Sequence, residues 1–466
     1  MEEYERYARQ SRGFAATVNT IVRREYNRRR ERITEEYERQ IREEEALLRE
    51  ARRRAIEEFE AFLERYPNDP RYTPDAMFRL AELYYEDSYE TFLDEADRHA
   101  ELQERRDAGE DVELPPEPVK DFSRTVNLFR RLIAEYPDYR HLDGALYLLG
   151  FCLNETGSFE EARIAWLALT CANQFRYEGP LATEEEPTDD EEHPVSTLRA
   201  ATEPEQTGPF VNEYETCTPR VEESRFFEEA WLRIGEYHFD YDYSAHGLEY
   251  AIAAYRNAMT DPEGPFYDKA LYKLAWSYYR ADRYTEAIRH FAMLVEYADE
   301  RRERTGTAGS EMRPEAIQYL GICFAEDDWN HDNEPDAQRG IERLQDPALM
   351  PQDRPYTAEV YFQTGDTYFD LARYGDAIEV YELALRRWPT ALRAPQVVER
   401  IAQAYERNRE FEEAIAARGR LSDFGAESEW ALANAEEHPE AVREAEQLAR
   451  NALYDDAVRH HQIAQG

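Results

Sequence analysis

Residues 356–389 read YTAEVYFQTGDTYFDLARYGDAIEVYELALRRWP. Apolar and small residues recur in this stretch every three or four positions, first around Gly365 and then around Ala377. Such spacing places them on one face of a helix. The stretch closes at Pro389, and proline ends a helix because it lacks the backbone N–H and clashes with the preceding turn. These features predict two short amphipathic helices joined by a turn.

The same pattern returns along most of the chain. One part of it is a small residue followed by a bulky apolar residue, a second apolar residue and a proline. This part occurs as Ala55-Phe59-Phe62-Pro67, Thr125-Phe129-Leu132-Pro137 and Ala377-Tyr381-Ala384-Pro389. The sequence contains about eight copies of the helix pair. Their first helices are predicted to start near Pro74, Leu142, Phe227, Tyr267, Arg313, Thr357, Ala394 and Pro439.

Small residues stand where paired helices must approach each other, and bulky residues stand in the gap between them. In this respect the pattern resembles the tetratricopeptide repeat, a helix–turn–helix unit of about 34 residues. The resemblance covers most of residues 51–466. It implies an all-α fold, a right-handed superhelical solenoid of stacked pairs, because one pair cannot bury its own apolar face. The family mostly binds proteins, so the resemblance also implies a protein-interaction role.

The N-terminal part of the chain is predicted to be helical throughout. Residues 1–50 are rich in arginine and glutamate and form one long charged helix, either a cap of the solenoid or a coiled-coil or partner-binding arm. Repeats follow over residues 51–175. An insertion at residues 86–118 is expected to form a helical extension and a turn.

The C-terminal part begins after a break in the repeats. The run EEEPTDDEE at residues 184–192 predicts an acidic, low-complexity insertion over residues 176–224, since such a composition cannot form a core. Repeats resume over residues 225–466. The last repeat is expected to be truncated, with its second helix starting near Tyr454.

The chain is strongly acidic, with a formal net charge of −43 over 466 residues. Its lysines are Lys120, Lys269 and Lys273, so arginine supplies nearly all the positive charge. Nucleic acid is disfavoured as a partner, because phosphate binding needs basic stripes. A lysine-poor acidic surface fits a halophilic habitat, where salt screens self-repulsion. A GC-rich genome that favours arginine codons is the alternative explanation.

The sequence contains no obvious membrane or export signal. No apolar stretch approaches the roughly 20 residues that a transmembrane segment needs, and the charged start Met1–Arg12 lacks a signal-peptide pattern. The chain is therefore expected to be cytoplasmic, or a mature or trimmed form. AIEEFEAFLERYPNDP at residues 55–70 resembles periplasmic and outer-membrane-associated repeat proteins of Gram-negative bacteria. That resemblance implies the periplasm or the outer-membrane periphery, with the cytoplasm as the alternative.

The four cysteines fall into two classes. Cys152 and Cys323 occupy the same position of their repeats and are expected to be buried, small apolar residues. Cys171 and Cys217 bracket the acidic insertion. They either form a disulfide, which fits an oxidising compartment, or remain free thiols.

The sequence shows no catalytic, cofactor or metal-binding motif. His238 is expected to be a packed core residue. One acidic loop carries oxygen ligands at alternating positions, namely Asp328, Asn330, Asp332, Glu334 and Asp336. It lacks the glycine and the final glutamate of a calcium loop, which favours a solvated loop. We therefore predict a protein that is not an enzyme, with no cofactor and no metal.

The resemblance implies a concave groove along the first helices of the pairs. Transferred by position, the aromatic residues of that groove are Phe78, Tyr85, Tyr147, Phe151, Phe239, Tyr272, Trp276, Tyr279, Phe362 and Phe369. The acidic residues beside them are Asp75, Glu82, Glu86, Glu155, Glu236, Asp240, Glu315, Glu326, Asp366 and Asp370. Exposed rings rimmed by carboxylates suit a protein or peptide partner that is basic and has apolar anchors. The alternative is that insertions or neighbouring helices cover the rings.

Together these features predict a non-catalytic protein-interaction scaffold in a bacterial cell envelope assembly. A cytoplasmic adaptor or regulator with the same groove is one alternative. A structural subunit, or the non-catalytic part of a larger trimmed protein, is another.

Overall fold

The structure is a computed structural model of the chain. It describes residues 36–37, 39–41, 43–179, 210–221 and 224–465, which form helices and connecting segments without any β-strand. The predicted all-α fold is confirmed for these residues. The acidic run at residues 184–192 lies outside them.

The chain divides into two compact units. The first comprises Met1–Ala165 and Tyr177–Leu198, and the second comprises Trp166–Arg176 and Arg199–Gly466. The four predicted parts follow repeats and insertions along the sequence rather than compactness, and that division stays a prediction.

The first unit is built from four helices and the start of a fifth. Helix α1 covers residues 43–65, with residues 36–37 and 39–41 also helical. The remainder of the predicted N-terminal helix lies outside the described residues. The helices that follow are α2 (Thr73–Asp107), α3 (Ser123–Glu135), α4 (Leu142–Glu155) and α5 (Phe159–Thr170), which spans the boundary along the chain. Helix α3 packs against both α2 and α4.

The insertion at residues 86–118 begins as predicted, as an extension of α2, which is 35 residues long. No glycine or proline interrupts residues 75–108. The helix ends next to Gly109, whose φ of +91° is a left-handed conformation that glycine adopts without steric cost. Residues 110–122 then lead to α3 without regular structure.

The second unit contains most of the repeats. Its helices are α6 (Phe227–Asp240), α7 (Gly247–Asn257), α8 (Tyr267–Arg280), α9 (Tyr284–Thr305), α10 (Arg313–Ala325), α11 (Gly340–Leu344), α12 (Thr357–Asp370), α13 (Tyr374–Arg387), α14 (Ala394–Arg407), α15 (Phe411–Gly419), α16 (Glu429–Asn434) and α17 (Pro439–Gln465). From α6 to α14, each helix packs against the next along the chain, except that the short α11 lets α10 pack mainly against α12. Every predicted first helix starts within one residue of its expected position.

Small residues set the close approach of paired helices, as predicted. A Cβ atom on Gly365 would lie 2.4 Å from Cε1 of Tyr381, and one on Gly235 would lie 2.4 Å from Cε1 of Tyr255. No side chain tolerates such a contact, so glycine is what allows the tyrosine of the second helix to pack there. Both tyrosines are fully buried.

The tight turns between paired helices use a left-handed residue. Gly157 has this conformation between α4 and α5, and Asp282, Ala372 and Arg409 have it in the equivalent turns of later pairs. A non-glycine residue in this conformation costs about 1–3 kcal/mol. The packing of the two helices therefore dictates the backbone there, whatever the side chain.

The prediction of a helix pair at the end of the chain is wrong. Residues 439–465 form the single helix α17, and no second helix starts near Tyr454. The reason is local, because no glycine or proline follows Pro439 before the helix ends at Gln465. Without a breaker, a run rich in alanine, glutamate and arginine continues as one helix.

Candidate functional site

The predicted groove aromatics divide according to their place in the first helix of each pair. Phe78, Tyr147 and Phe362 are each the sixth residue of their helix and are at most 8% exposed. Phe78 meets Phe129 of α3 edge-on, with ring centroids 5.8 Å apart, so the second helix of the pair covers it. These three rings belong to the core, and the expectation that they line an exposed groove is wrong.

The remaining predicted rings are half-buried. They are Tyr85, Phe151, Phe239, Tyr272, Trp276, Tyr279 and Phe369. All except Tyr272 are the tenth or thirteenth residue of a first helix, one or two turns beyond the buried sixth residue. Apart from Tyr272, the rings that a partner can reach therefore lie toward the C-terminal half of these helices.

In the first unit, Tyr85 lies at a cavity of about 340 Å³. Its ring centroid is 5.2 Å from that of Phe122 and 6.0 Å from that of Phe151. The cavity is lined by Arg79, Glu82, Tyr85, Glu86, Phe129, Leu148 and Cys152. Both glutamates are already paired, Glu82 with Arg79 and Glu86 with Arg52. The cavity thus has an apolar floor and a rim whose charge is largely neutralised.

The second unit contains a larger group of half-buried rings, which we call the α8–α10 cluster: Tyr272, Trp276, Tyr279 and Tyr319. Tyr319 joins the cluster together, because its ring centroid is 4.2 Å from Trp276 and 5.4 Å from Tyr279. Trp276 and Tyr279 are 5.8 Å apart and Tyr272 and Trp276 are 6.3 Å apart. Beneath the cluster, the buried Phe291 stacks on Tyr319 at 5.6 Å.

The sequence prediction missed Tyr319. This residue is the seventh of α10, a position that the resemblance did not assign to the groove. A usable signal was present in the sequence, because the seventh residues of α8 and α14 are Lys273 and Arg400. An aromatic residue thus stands in α10 where α8 and α14 carry a cation.

Other groove rings of the second unit are covered by cations of the chain itself. Phe239 lies under Arg280, 4.3 Å from the ring centroid, and under Lys273 at 5.2 Å. Phe369 lies under Arg400 at 4.6 Å. Such contacts satisfy the negative face of an aromatic ring and cover part of its surface. These rings therefore present less free aromatic surface to a partner than their exposure alone suggests.

Many of the predicted groove carboxylates are also engaged within the chain. Asp75 pairs with Arg140, Glu155 with Lys120, Glu236 with Arg233 and Asp366 with Arg393, in addition to the two pairs at the cavity. The prediction of a strongly acidic rim along the whole groove is therefore too broad.

The carboxylates next to the α8–α10 cluster differ. Among the described residues, no basic side chain forms an ion pair with Glu315, Glu326 or Asp282. Burial, with further contributions from Glu326 and Asp282, raises the pKa of Tyr279. Burial and then Glu315 raise the pKa of Tyr319. The cluster is an aromatic surface with carboxylates beside it that have no ion-pair partner among the described residues.

The candidate calcium loop is closed by its own hydrogen bonds. The Asp328 carboxylate accepts hydrogen bonds from the backbone N–H groups of Asp332 and Asn333, at 3.2 and 2.9 Å. The Asp336 carboxylate accepts one from the Trp329 N–H at 2.9 Å and pairs with Arg343. Within the part of the chain that the structure describes, no group of three or more His, Cys, Asp or Glu residues is placed to hold a metal ion.

The structure resolves the two alternatives for the cysteines. Cys171 and Cys217 form a disulfide, whereas Cys152 and Cys323 are free and buried, as expected. Burial raises the pKa of the Cys152 thiol to about 12, so this thiol stays protonated and unreactive. The disulfide joins the end of α5 to the segment 210–221, both within the second unit.

His238 is a packed core residue, as predicted, and is 3% exposed. Its Nε2 is 2.8 Å from the hydroxyl of Tyr214, and its Nδ1–H donates to the carboxylate of Asp242 at 2.7 Å. This hydrogen bond lowers the pKa of Asp242. Tyr214 belongs to the segment 210–221, so His238 links that segment to α6.

The lowered pKa of Asp242 predicts a pH dependence of stability. Because the carboxylate is more acidic in the folded protein, its contribution is complete above the ordinary aspartate pKa of about 4 and is lost as the pH falls below it. We expect Asp242→Asn to lower stability near neutral pH by about 1–3 kcal/mol, the range for a hydrogen bond to a charged group. As the pH falls from about 4 toward about 2, the effect of the substitution should shrink progressively.

The measurement is a series of melting temperatures by circular dichroism across this pH range. Asp240→Asn is the matched control, because Asp240 lies nearby and is exposed. A wild-type-like melting temperature for Asp242→Asn at neutral pH would contradict the role assigned to the hydrogen bond.

Comparison with known proteins gives two matching family models, both described as tetratricopeptide repeat. One matches residues 362–420, and the other matches residues 75–139 and 269–299. The last match includes most of α8 and α9, and therefore three of the four rings of the α8–α10 cluster. No curated protein matches the chain. In the described part of the chain, no helix is both long and apolar enough to cross a membrane.

Proposed function

We infer, because the chain is a tetratricopeptide-repeat protein, that it acts as a non-catalytic protein-interaction scaffold. The α8–α10 cluster is its main anchor for a partner. Stacked helix pairs of this kind provide extended concave binding surfaces. A fold alone does not determine function, and the cluster is the surface through which this chain would bind a partner.

One observation carries the proposal: four large rings at one helix junction are each half-buried beside carboxylates that have no ion-pair partner among the described residues. A half-buried ring gains favourable burial when a partner covers it, at about 25 cal/mol per Å² of apolar area. Aromatic residues are also the commonest binding hot spots. Most other groove rings are buried or lie under cations of the chain, with Tyr85 and Phe151 of the first unit as the exceptions. The gain is therefore largest at this cluster, which groups four half-buried rings.

The proposed partner is an extended or helical segment of another protein, with apolar anchors. Such a segment lies over the half-buried rings of the first helices, which, apart from Tyr272, stand toward the C-terminal ends of these helices. The cavity beside Tyr85 in the first unit is a second, smaller place for an apolar side chain, because its floor is formed by Phe129 and Leu148.

The proposed place of action is the bacterial cell envelope, in the periplasm or at the outer-membrane periphery. The Cys171–Cys217 disulfide supports this, since disulfides persist in oxidising compartments and are rare in the cytoplasm. A cytoplasmic adaptor is the alternative. Alkylation of free thiols in protein taken directly from its native cells distinguishes the two: an oxidised pair supports the envelope, and two alkylated cysteines support the cytoplasm.

The test of the binding role is recovery of partners from native extract. We expect Trp276→Ala and Tyr279→Ala each to weaken partner binding by about 2 kcal/mol or more, which is about 30-fold. Tyr243→Ala is the matched control, because that ring is 86% exposed and lies outside the cluster. Circular dichroism must first establish that each variant folds. Folded cluster variants that retain every partner at unchanged affinity would show that this surface is not the anchor.

A further inference from the structure

Equivalent positions of successive repeats meet in a regular way in the second unit. The thirteenth residue of α6 is Phe239, and it contacts Lys273, the seventh residue of α8. The thirteenth residue of α12 is Phe369, and it contacts Arg400, the seventh residue of α14. At both junctions the chain places its own cation over an aromatic ring of the preceding first helix.

The junction between α8 and α10 differs from these two, and the α10–α12 junction has neither group, with Ala325 and Gln363 at the two positions. The thirteenth residue of α8 is again aromatic, Tyr279, but the seventh residue of α10 is Tyr319. Their ring centroids are 5.4 Å apart. Within the described ranges, no arginine or lysine stands over any ring of the α8–α10 cluster. At the position that a cation occupies in the α6–α8 and α12–α14 junctions, α10 carries the Tyr319 ring, which lies against Trp276 and Tyr279.

Carboxylates lie beside the cluster, although α8 itself also carries Lys269 and Lys273. Glu315 lies one turn before Tyr319 on α10, Glu326 follows the end of that helix, and Asp282 lies in the turn after α8. All three are exposed, and none has an ion-pair partner among the described residues. Carboxylates that lack a counter-ion beside aromatic faces attract a cation by two effects that act together, Coulomb attraction and the ring quadrupole.

We propose that the α8–α10 cluster binds an arginine side chain of the partner, with its guanidinium against the rings of Trp276, Tyr279 and Tyr319 and within reach of Glu315 and Glu326. This deepens the proposed function, on which it rests, by naming the side chain that the anchor recognises. The partner thereby supplies in trans the cation that Lys273 and Arg400 supply within the chain.

Arginine fits better than lysine for two reasons. Its guanidinium is planar and weakly hydrated, so it stacks on rings with a smaller loss of solvation. The chain itself uses arginine for its closest contacts of this type, with Arg124 over Tyr84 at 3.8 Å and Arg343 over Trp329 at 4.2 Å. Apolar residues on either side of the arginine also contact the apolar surfaces of the rings.

The test uses two synthetic peptides that differ in one atom group: a leucine–arginine–leucine amide and the same peptide with citrulline, the neutral isostere of arginine. Both are titrated into the full chain and followed by tryptophan fluorescence. We expect the citrulline peptide to bind about tenfold more weakly, in line with a partly desolvated cation–π contact. Equal binding of the two peptides, or no binding of either, overturns the proposal.

A variant gives an independent check. Tyr319→Arg reproduces the arrangement of the α6–α8 and α12–α14 junctions and should place the new guanidinium over Tyr279, so binding of the arginine peptide should fall by about tenfold or more. Tyr319→Phe retains the ring and should bind the arginine peptide at near wild-type affinity. If Tyr319→Arg does not fold, the variants Glu315→Gln and Glu326→Gln are tested instead. If both of these variants still prefer the arginine peptide over the citrulline peptide as strongly as the wild-type protein does, the proposal is overturned.

The experiments distinguish an error in the arginine site from an error in the proposed binding role. If Trp276→Ala loses native partners but the two peptides bind equally, the scaffold role stands and the arginine site is wrong. If Trp276→Ala retains every native partner, the scaffold role at this surface is wrong, whatever the peptides do.

Discussion

Replacing Gly365 with leucine is expected to separate α12 from α13 and to lower the melting temperature by several degrees. A Cβ atom at this position would lie 2.4 Å from Cε1 of Tyr381, and the Tyr381 ring is itself fully buried, so it cannot move aside freely. Overpacking of a core costs about 1–3 kcal/mol, and the closeness of this contact favours the upper end of that range.

Gly375 provides the matched control. It lies at the start of α13, and a Cβ atom there would meet no atom within 4 Å. Gly375→Leu should therefore leave the melting temperature unchanged or raise it, since most residues favour a helix over glycine by up to about 1 kcal/mol. Equal destabilisation by both substitutions would mean that the contact between Gly365 and Tyr381 does not set the distance between the two helices.

Loss of the Cys171–Cys217 disulfide is expected to lower the stability of the protein by as much as Gly365→Leu does, or by more. The bond closes a loop with a sequence separation of 46 residues. Removing such a cross-link costs about 2–4 kcal/mol, because the unfolded chain regains the freedom that the bond restricted. We therefore expect reduction, or the double substitution Cys171→Ser and Cys217→Ser, to lower the melting temperature of the second unit.

The double variant also supplies the control for reduction. Cys152 and Cys323 are free, so a reducing agent has no other disulfide to act on among the described residues. The wild-type protein should lose stability in reductant and the double variant should not change further. A wild-type protein with the same melting temperature in both conditions would contradict a stabilising disulfide.

The repeat architecture was predictable because it depends on local patterns. Spacings of three and four residues, small residues at close contacts and prolines after the second helices identified the first helices to within one residue. The prediction of a helix pair at the end of the chain was wrong because one of these local signals is missing there. The sequence around Tyr454 carries apolar spacing but no breaker, and spacing alone does not separate one long helix from two short ones.

The binding surface was only partly predictable, because exposure depends on residues that are distant in the sequence. Phe362 and Phe369 lie on the same helix, yet one is 2% exposed and the other is half-buried. Positions carried over from a family indicate a face of a helix, and they do not show which cation of the next repeat covers a ring. Arg400 over Phe369 and Tyr319 beside Tyr279 become visible only when successive repeats are stacked.

Site-specific photocrosslinking in native extract tests most directly whether a partner protein binds at the α8–α10 cluster. A photoreactive phenylalanine analogue is introduced in place of Tyr319 in the α8–α10 cluster or, in a separate variant, in place of the exposed Arg289 on α9. We expect a partner protein to be captured from position 319 and not from position 289. Capture from position 289 without capture from position 319 would contradict the account and assign partner binding to the second helices.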